Sequence, residues 1–589
     1  MYILKWCDPG FKKEMKQSFI LFLILFASFH GSDALGEEKI DSTATLSISR
    51  PGILTLEENN FFRADFFPLS LAQRGRLSTT AYRGMPPGFK KYYVAGNPFK
   101  NPFSGFWNEQ WLPYYAVDSE TAILPGASQK LSPLLALSDH PITRIVFSQD
   151  YVLNLSFVDI NFYQQLNRKN FIHLSGSNFL SDGSLPSDFS KLQVTTYRTQ
   201  LHWQILNQVS LDLFYWQIRH RFNMEPQTGS AFRDKFKQVG HLLWSQIGIQ
   251  LSENDSLLII PGIKNIEDRY AFGQDFQRDN RYRILHLTGE YDHRFSKVHL
   301  GISGETALLR NKASRFWSDY SEGEGSITGH LELKHPTTHF ESQLGVFHHS
   351  ELGSALTGEF KLAVLKNNRI NGGIAGYSTV EAPPILWRTL THDSIPAYTN
   401  SRLMRKEEVA LSIHWSPSQH LVFSIEPFVL RMNNYPIYKP LTNSWNTMRL
   451  ENRGLRLKGS LLGKHLALEN DFTYNADYRK VYAPQINNIT TLKIAMNLFG
   501  EIPVDGIFTW HYLGYFHLIG FHRLLYSYRI TELETGPYYL ADLRFQIHFK
   551  KALLFFIWEN LLSQDYSLIQ GTGEELLVFR LGVDWLLFD

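Results

Sequence analysis

The sequence predicts an all-β fold, a transmembrane antiparallel β-barrel of about 22 strands, and three observations carry the prediction. Apolar and polar residues alternate at period two over most of the chain, an N-terminal apolar run marks it for export, and short connections alternate with long polar ones. Composition agrees. The 589 residues are 14% aromatic and only 19% charged, sparse for a soluble chain of this size, while 43% hydrophobic residues supply enough apolar surface to exclude disorder. With 58 Lys and Arg against 56 Asp and Glu the formal charge is +2, which excludes nucleic acid as the main partner because a phosphate-binding surface needs a basic excess.

The first element is a secretory signal over residues 1–36. Lys12, Lys13 and Lys16 precede an unbroken apolar run at 19–27, and Ala34 and Gly36 place small residues at the −3 and −1 positions before Glu37. The run is too short for a membrane helix, which needs about 20 residues. Cleavage there removes Cys7, the single cysteine, so the exported chain has neither a disulfide framework nor a cysteine metal site. The longest later apolar stretch, 552–558, is shorter still, so any membrane span must be a strand.

The barrel is expected over residues 141–589. At 195–205 the odd positions Tyr197, Leu201, Trp203 and Ile205 are apolar, whereas Arg198, Gln200, His202 and Gln204 are polar. Val298, Leu300 and Ile302 alternate with His299 and Ser303, Ile327, Leu331 and Leu333 with His330 and Glu332, and Leu543, Phe545 and Ile547 with Arg544, Gln546 and His548. Segments such as 193–205, 420–431, 447–460 and 464–475 have the length that a tilted strand needs to cross a bilayer. Short turns are expected near 207–208, 252–255, 292–296, 335–337, 366–369, 417–419, 461–463, 499–504 and 550–551. Long loops then fall at 178–192, 220–237, 263–280, 307–325, 379–405, 432–446 and 476–489. The alternation breaks at 505–528 and is restored if that span is one long strand. Trp216, Tyr291, Trp415, Tyr474, Trp558 and Trp585 fall near strand ends, where aromatic rings meet headgroups.

Chemistry-bearing motifs are lacking. There is no phosphate-binding glycine loop, no H-E-x-x-H, no G-x-S-x-G and no calcium loop, so no catalytic residue, cofactor or metal is expected. Many of the 22 histidines, among them His202, His286, His299, His330 and His548, sit on the polar strand face, as a hydrated lining would. His348 and His349 are adjacent on a strand and face opposite ways, which argues against joint ligation. Gly323–Gly325 is read as a hairpin loop. In the loops, Trp387, Arg388 and Tyr398, with Tyr435 and Trp445, are candidate ligand-capture residues, since exposed aromatics and arginine are common anchors; loop-on-loop packing is the alternative and the more ordinary reading.

Both ends resemble a known family, the TonB-dependent outer-membrane receptors and their porin-like relatives. At the C-terminus, Asn560, Leu561 and Tyr566 precede a final loop and a strand with Arg580, Gly582, Val583 and Trp585, similar to that family's closing hairpin, although the chain ends in Phe588-Asp589 where the family has a final aromatic. At 82–113, Arg83-Gly84, a short strand, and Gly96, Asn97 and Pro98 resemble the plug motif, with Ala95 where the family has Asp. The stretch 54–76 resembles the plug's opening, and ILPGAS at 123–128 its later strands. TLSISR at 45–50 stands where the family's TonB-contacting box would lie and departs from it. The resemblance implies a small N-terminal plug-like domain over residues 37–140.

The reading is an outer-membrane protein of a Gram-negative-type cell, importing an unidentified small ligand. The resemblance implies capture by outer loops and displacement of the plug by the TonB complex, with outer-membrane lipid as the other partner. A passive porin with a plug remnant, an outer-membrane hydrolase or assembly barrel, and a soluble secreted β protein stay open on the residues alone.

Overall fold

The computed structural model describes residues 52–587, apart from 70–76, 102, 120–127, 134–139, 153, 182–191, 225–233, 273–274, 313–316, 368, 392–394, 401 and 572–576. The signal segment, the stretch at 45–50, residues 123–127 and the terminal Phe588-Asp589 therefore lie outside the described residues. Period-two alternation decides the rest. Along the strand Leu192–Leu206, Tyr197, Trp203 and Ile205 stand about half exposed on the outer face while Arg198 and Gln200 are buried inside. The same division puts Leu300, Ile302, Ile327, Leu333 and Phe545 outside. Twenty-two strands close into one barrel, every neighbour antiparallel, and the last strand, Val578–Leu587, pairs with the first, Ile142–Asp150, through Arg580 opposite Asp150 and Trp585 opposite Ile145. Closure leaves no unpaired edge, as a hydrocarbon solvent requires.

The short turns fall as the sequence predicts, at 207–208, 336–337 and 463–465 among others. Three expectations need correction. Loops 263–280, 307–325 and 432–446 are mostly paired strand: Asp255–Phe272 runs against Asp275–Phe295, Val298–Lys312 against Tyr320–His335, and Leu421–Lys439 against Ser444–Leu462, so Gly323–Gly325 is in a strand and not a loop. At 3.4 Å per residue the 21-residue strand Asp275–Phe295 spans roughly 70 Å, well beyond a bilayer. Above the lipid polar residues stand on both faces, Asp279 and Arg281 outside and Arg278 and Asn280 buried inside, so the apolar alternation vanishes. The span 505–528 is not one strand. Ile502–Leu513 ends in the wall, and Phe516–His522 and Ser527–Thr535 form a separate hairpin before Tyr538–His548 re-enters the barrel, so strand parity is kept. Trp216 is not at a membrane boundary. Its ring is buried inside, 5.6 Å from the Phe99 ring, whereas Tyr291, Trp415 and Trp585 do stand on the outer face.

Inside the wall sits the N-terminal part. Thr55 caps the helix Leu56–Phe61 by accepting from the Glu58 amide, and Glu58 reaches back to accept from Leu54 N, a capping box. Phe66–Pro68 pairs with Thr80–Tyr82, and a four-stranded sheet orders Asn97–Pro98, Lys91–Val94, Ser128–Pro133 and Val117–Ser119, the middle two being parallel. Its core is aromatic. Phe99, Trp107 and Trp111 contact each other at 4.0 and 4.9 Å between centroids, and Phe103 stacks on Tyr282 of the wall at 5.0 Å.

Candidate functional site: the clamp between plug and wall

The inward face of each strand carries the polar residues, and several are charges that meet a charge on the plug. Arg83 and Gly84 occupy the turn after Thr80–Tyr82 with φ of 48° and 76°, so the guanidinium is aimed outward at the wall. A Cβ on Gly84 would come within 2.7 Å of Val481, so the close approach requires glycine. Arg83 Nη1 donates to Glu408 at 2.9 Å and Nη2 pairs with Glu426; Lys90 Nζ lies 2.9 Å from the other Glu408 oxygen, and Tyr82 OH donates to Glu408 at 3.1 Å. Asn452 donates to the Arg83 carbonyl at 2.6 Å.

Three further pairs repeat the pattern around the wall. Arg456 Nη1 lies 2.5 Å from Asp65 of the plug and Nη2 2.6 Å from Asp471 of the neighbouring strand. Arg580 of the closing strand bridges Glu58 at 2.5 Å and Glu559 at 2.6 Å. Lys100 of the plug and Lys406 of the wall share Glu381. Burial pushes the Asp65 carboxyl up, but Arg456, then Arg63 and Arg83, outweigh it and hold the group well below the usual range. Burial lowers the Lys90 ammonium from its usual value against the pull of Glu408. Glu109 in the plug core makes no ion pair among the described residues: burial raises it to about 7 against donors on Thr80 and Asn60 and the more distant Arg63.

The second half of the plug motif makes a tight hairpin. Ala95 and Gly96 have φ of 45° and 70°, joining Lys91–Val94 to Asn97–Pro98, and a Cβ on Gly96 would strike Ile260 of the wall at 2.3 Å. Asn97 is fully buried there, with no partner for its amide among the described residues, and Pro98 offers its carbonyl to Lys264.

The candidate capture residues come together, but in a sealed seam. Trp387 is 2% exposed, its ring 5.3 Å from Trp445 and 6.3 Å from Tyr435, and Tyr398 packs 5.8 Å from Trp445. Arg388 turns aside to Glu322 at 2.6 Å and Tyr320 OH at 2.8 Å. Sequence reasoning missed what seals the seam. The outer hairpin folds down over the plug: Trp387 Nε1 donates to Leu525 O at 2.7 Å, Tyr526 OH donates to Asp268 at 2.8 Å, and Phe106 of the plug meets Tyr528 at 5.5 Å. A gap of about 20 Å³ is left between plug and loops there, room for about one water and far too little for a ligand. Burial lowers His522 of this hairpin to about 4. Two groups of potential ligands, Glu290, Asp292 and His330, and Glu332, His339 and Glu341, lie elsewhere on the inner wall, already paired internally, as in His330 to Asp292 at 2.7 Å. His348 and His349 do face opposite ways, one exposed and the other fully buried on Glu322.

These features define a transmembrane β-barrel closed around an N-terminal plug, with no catalytic constellation in the clamp. Solved structures share the fold. The siderophore receptor PirA from Acinetobacter baumannii superposes with a TM-score of 0.72 at 12% identity, covering 91% of this chain and 96% of that one. The ferric enterobactin receptor PfeA from Pseudomonas aeruginosa gives 0.72 at 13%, over 91% and 97%. The FrpB iron transporter from Neisseria meningitidis gives 0.70 at 10%, over 91% and 96%. No family model matches the sequence, and no curated protein does.

Proposed function

We propose that the protein is an outer-membrane importer whose plug must be displaced for its ligand to pass. The observation that carries this reading is the clamp: buried ion pairs hold the plug to the wall on the neighbouring strands that carry Glu381, Glu408 and Arg456 and again at Arg580 of the closing strand, and the outer hairpin packs on top of it. Clamp and hairpin together close the barrel, so the plug has to be drawn aside before a ligand can pass, and the resemblance assigns that pull to the TonB complex. Residues 1–36 then direct export, 37–140 form the plug and 141–589 the barrel. Trp387, Tyr398, Tyr435 and Trp445 meet ligand once the hairpin lifts, while Arg83, Gly84, Gly96, Asn97 and Pro98 seat the plug. Solved structures of this fold include receptors for siderophores and ferric enterobactin, so an iron-carrying chelate is the first ligand class to try. Uptake of a labelled ferric chelate by cells with and without TonB tests the reading. TonB-dependent uptake supports it; equal flux in both strains would identify a passive pore.

A further inference from the structure

An open groove of about 1070 Å³ lies on the outer surface of the barrel, where the strands between Val209–Met224 and Tyr320–His335 rise toward the long loops. Cross-strand register shows what it is made of. Tyr215, Leu243, Ile263, Leu285 and Leu308 stand opposite one another in a continuous row on the lipid-facing side. Two residues further out on each strand, about 7 Å away, the next row is Gln217, His241, Asn265, Arg283 and Arg310. The row beyond is Arg219, Val239, Glu267, Arg281 and Lys312, with Arg221 opposite Lys237 above it. The wall passes from apolar to cationic within one step of the pleat.

The charge is not internally balanced. Glu267 faces Arg281 at 3.4 Å and Arg269 at 3.8 Å, and Arg269 also meets Asp279 at 3.1 Å. Arg221, Lys237, Arg283, Arg310 and Lys312 make no ion pair among the described residues. On another part of the wall, outward arginines above the apolar band are each matched: Arg431 and Arg449 to Glu451 at 3.0 and 2.8 Å, Arg453 to Asp477 at 3.2 Å. The five unpaired cations set the groove apart from that patch.

We propose that the groove docks a phosphorylated lipid of the surrounding outer leaflet, with its acyl chains on the Leu243, Leu285 and Leu308 row and its headgroup phosphates between Arg283, Arg310 and Lys312. Only a molecule that is apolar at one end and polyanionic about 7–14 Å above it complements both rows. The planar guanidinium forks suit phosphate oxygens in pairs. A soluble anion leaves the apolar row unused, and that row already faces hydrocarbon.

The test uses the full chain in a non-ionic detergent at low salt, titrated with mixed micelles of a bis-phosphorylated glycolipid or of the same glycolipid stripped of phosphate, with bound lipid counted by mass spectrometry. The phosphorylated form is expected to be retained and the stripped form not. Replacing Arg283, Arg310 and Lys312 together by Gln should weaken retention on the order of 100-fold, about fivefold per charge. The matched triple Arg431→Gln, Arg449→Gln, Arg453→Gln should change it less than twofold. Heat-modifiable gel mobility reports folding; if the first triple does not fold, Arg310→Gln alone should cost about fivefold. Equal retention of both glycolipids, or equal effects of the two triples, overturns the proposal. Competition by inorganic pyrophosphate with affinity equal to the lipid's overturns it in favour of a soluble anion.

Discussion

Replacing Arg456 by Met keeps the side-chain length and removes the one charge that Asp65 and Asp471 share. Both oxygens lie within 2.6 Å of the guanidinium, and the Arg456 and Asp65 side chains are 8% and 2% exposed. Deleting one partner of a buried pair costs about 3–5 kcal/mol, because the other charge stays desolvated. Arg63, 3.4 Å from Asp65 but a third exposed, returns at most about 1 kcal/mol. The expected loss is therefore about 3 kcal/mol, roughly a 100-fold rise in the population with the plug detached at this point. Hydrogen exchange of amides 54–68 in detergent reads that population directly. The pH dependence separates charge from packing. In the native protein the depressed Asp65 carboxyl stabilises above the ordinary aspartate range, and this is lost only as pH falls through the depressed value. Without Arg456, burial dominates and the carboxyl moves up, so protonation relieves the variant and its deficit should shrink from pH 7 to pH 4. Exchange within twofold of the native protein at pH 7, or a deficit that grows on acidification, refutes the clamp.

Glu109 carries the opposite sign. Its raised value, about 7 against an ordinary 4.5, means that its stabilising contribution is full below about pH 4.5 and is lost as pH rises through 7, roughly 3 kcal/mol in all; in Glu109→Gln, thermal melts at pH 5 and 8 should differ correspondingly less. Ala95→Gly should raise plug stability by about 1 kcal/mol, since Ala at φ 45° carries a Cβ strain that glycine lacks, and a lower melting temperature would count against the turn assignment. Trp387→Ala removes a buried ring and the donor to Leu525, costing about 3–5 kcal/mol, so limited proteolysis within 514–537 should accelerate and unchanged cleavage would show that the hairpin is held elsewhere.

Much of the barrel is legible in the sequence because one physical constraint, lipid on one face and protein or water on the other, repeats at every strand. The short turns follow from it, whereas the closing strand around Arg580 is legible through the family resemblance. The count of 22 holds, although parity reaches it through one long strand at 505–528, where the chain forms a strand and part of a separate hairpin. Legibility fails where that asymmetry ends. Asp275–Phe295 continues above the lipid with polar residues on both faces, the inner ones buried under the hairpin, and the hairpin at 516–535 has packing on both sides, so FHLIGFHRLLYSYRI gives no period. The turn chemistry of Arg83-Gly84 and of Gly96 is readable, since both need φ above zero. Alternation also says that Glu408, Arg456 and Arg580 point inward. It cannot say which plug residue each meets, because the pairing spans 325 residues for Arg83 with Glu408 and 522 for Arg580 with Glu58.

A plug that must hold and then yield poses a problem that the choice of contacts addresses. An apolar interface of this size would be stable, but detaching it exposes hydrocarbon surface to water at about 25 cal/mol per Å². Ion pairs behave differently: their attraction is largely offset by desolvation, and once separated each charge recovers its hydration. Glu408 with Arg83 and Lys90, Arg456 with Asp65, and Arg580 with Glu58 therefore fix the plug in one orientation while adding little to the net cost of removing it. Apolar contacts also join the plug to the wall, Phe99 on Trp216 and Phe103 on Tyr282, and they continue to the outer end, where Trp387, Leu525 and Tyr528 cover the plug. The ion pairs thus set the plug's orientation, while the aromatic packing carries most of the cost of detaching it, and at the outer end ligand contacts can replace part of that packing.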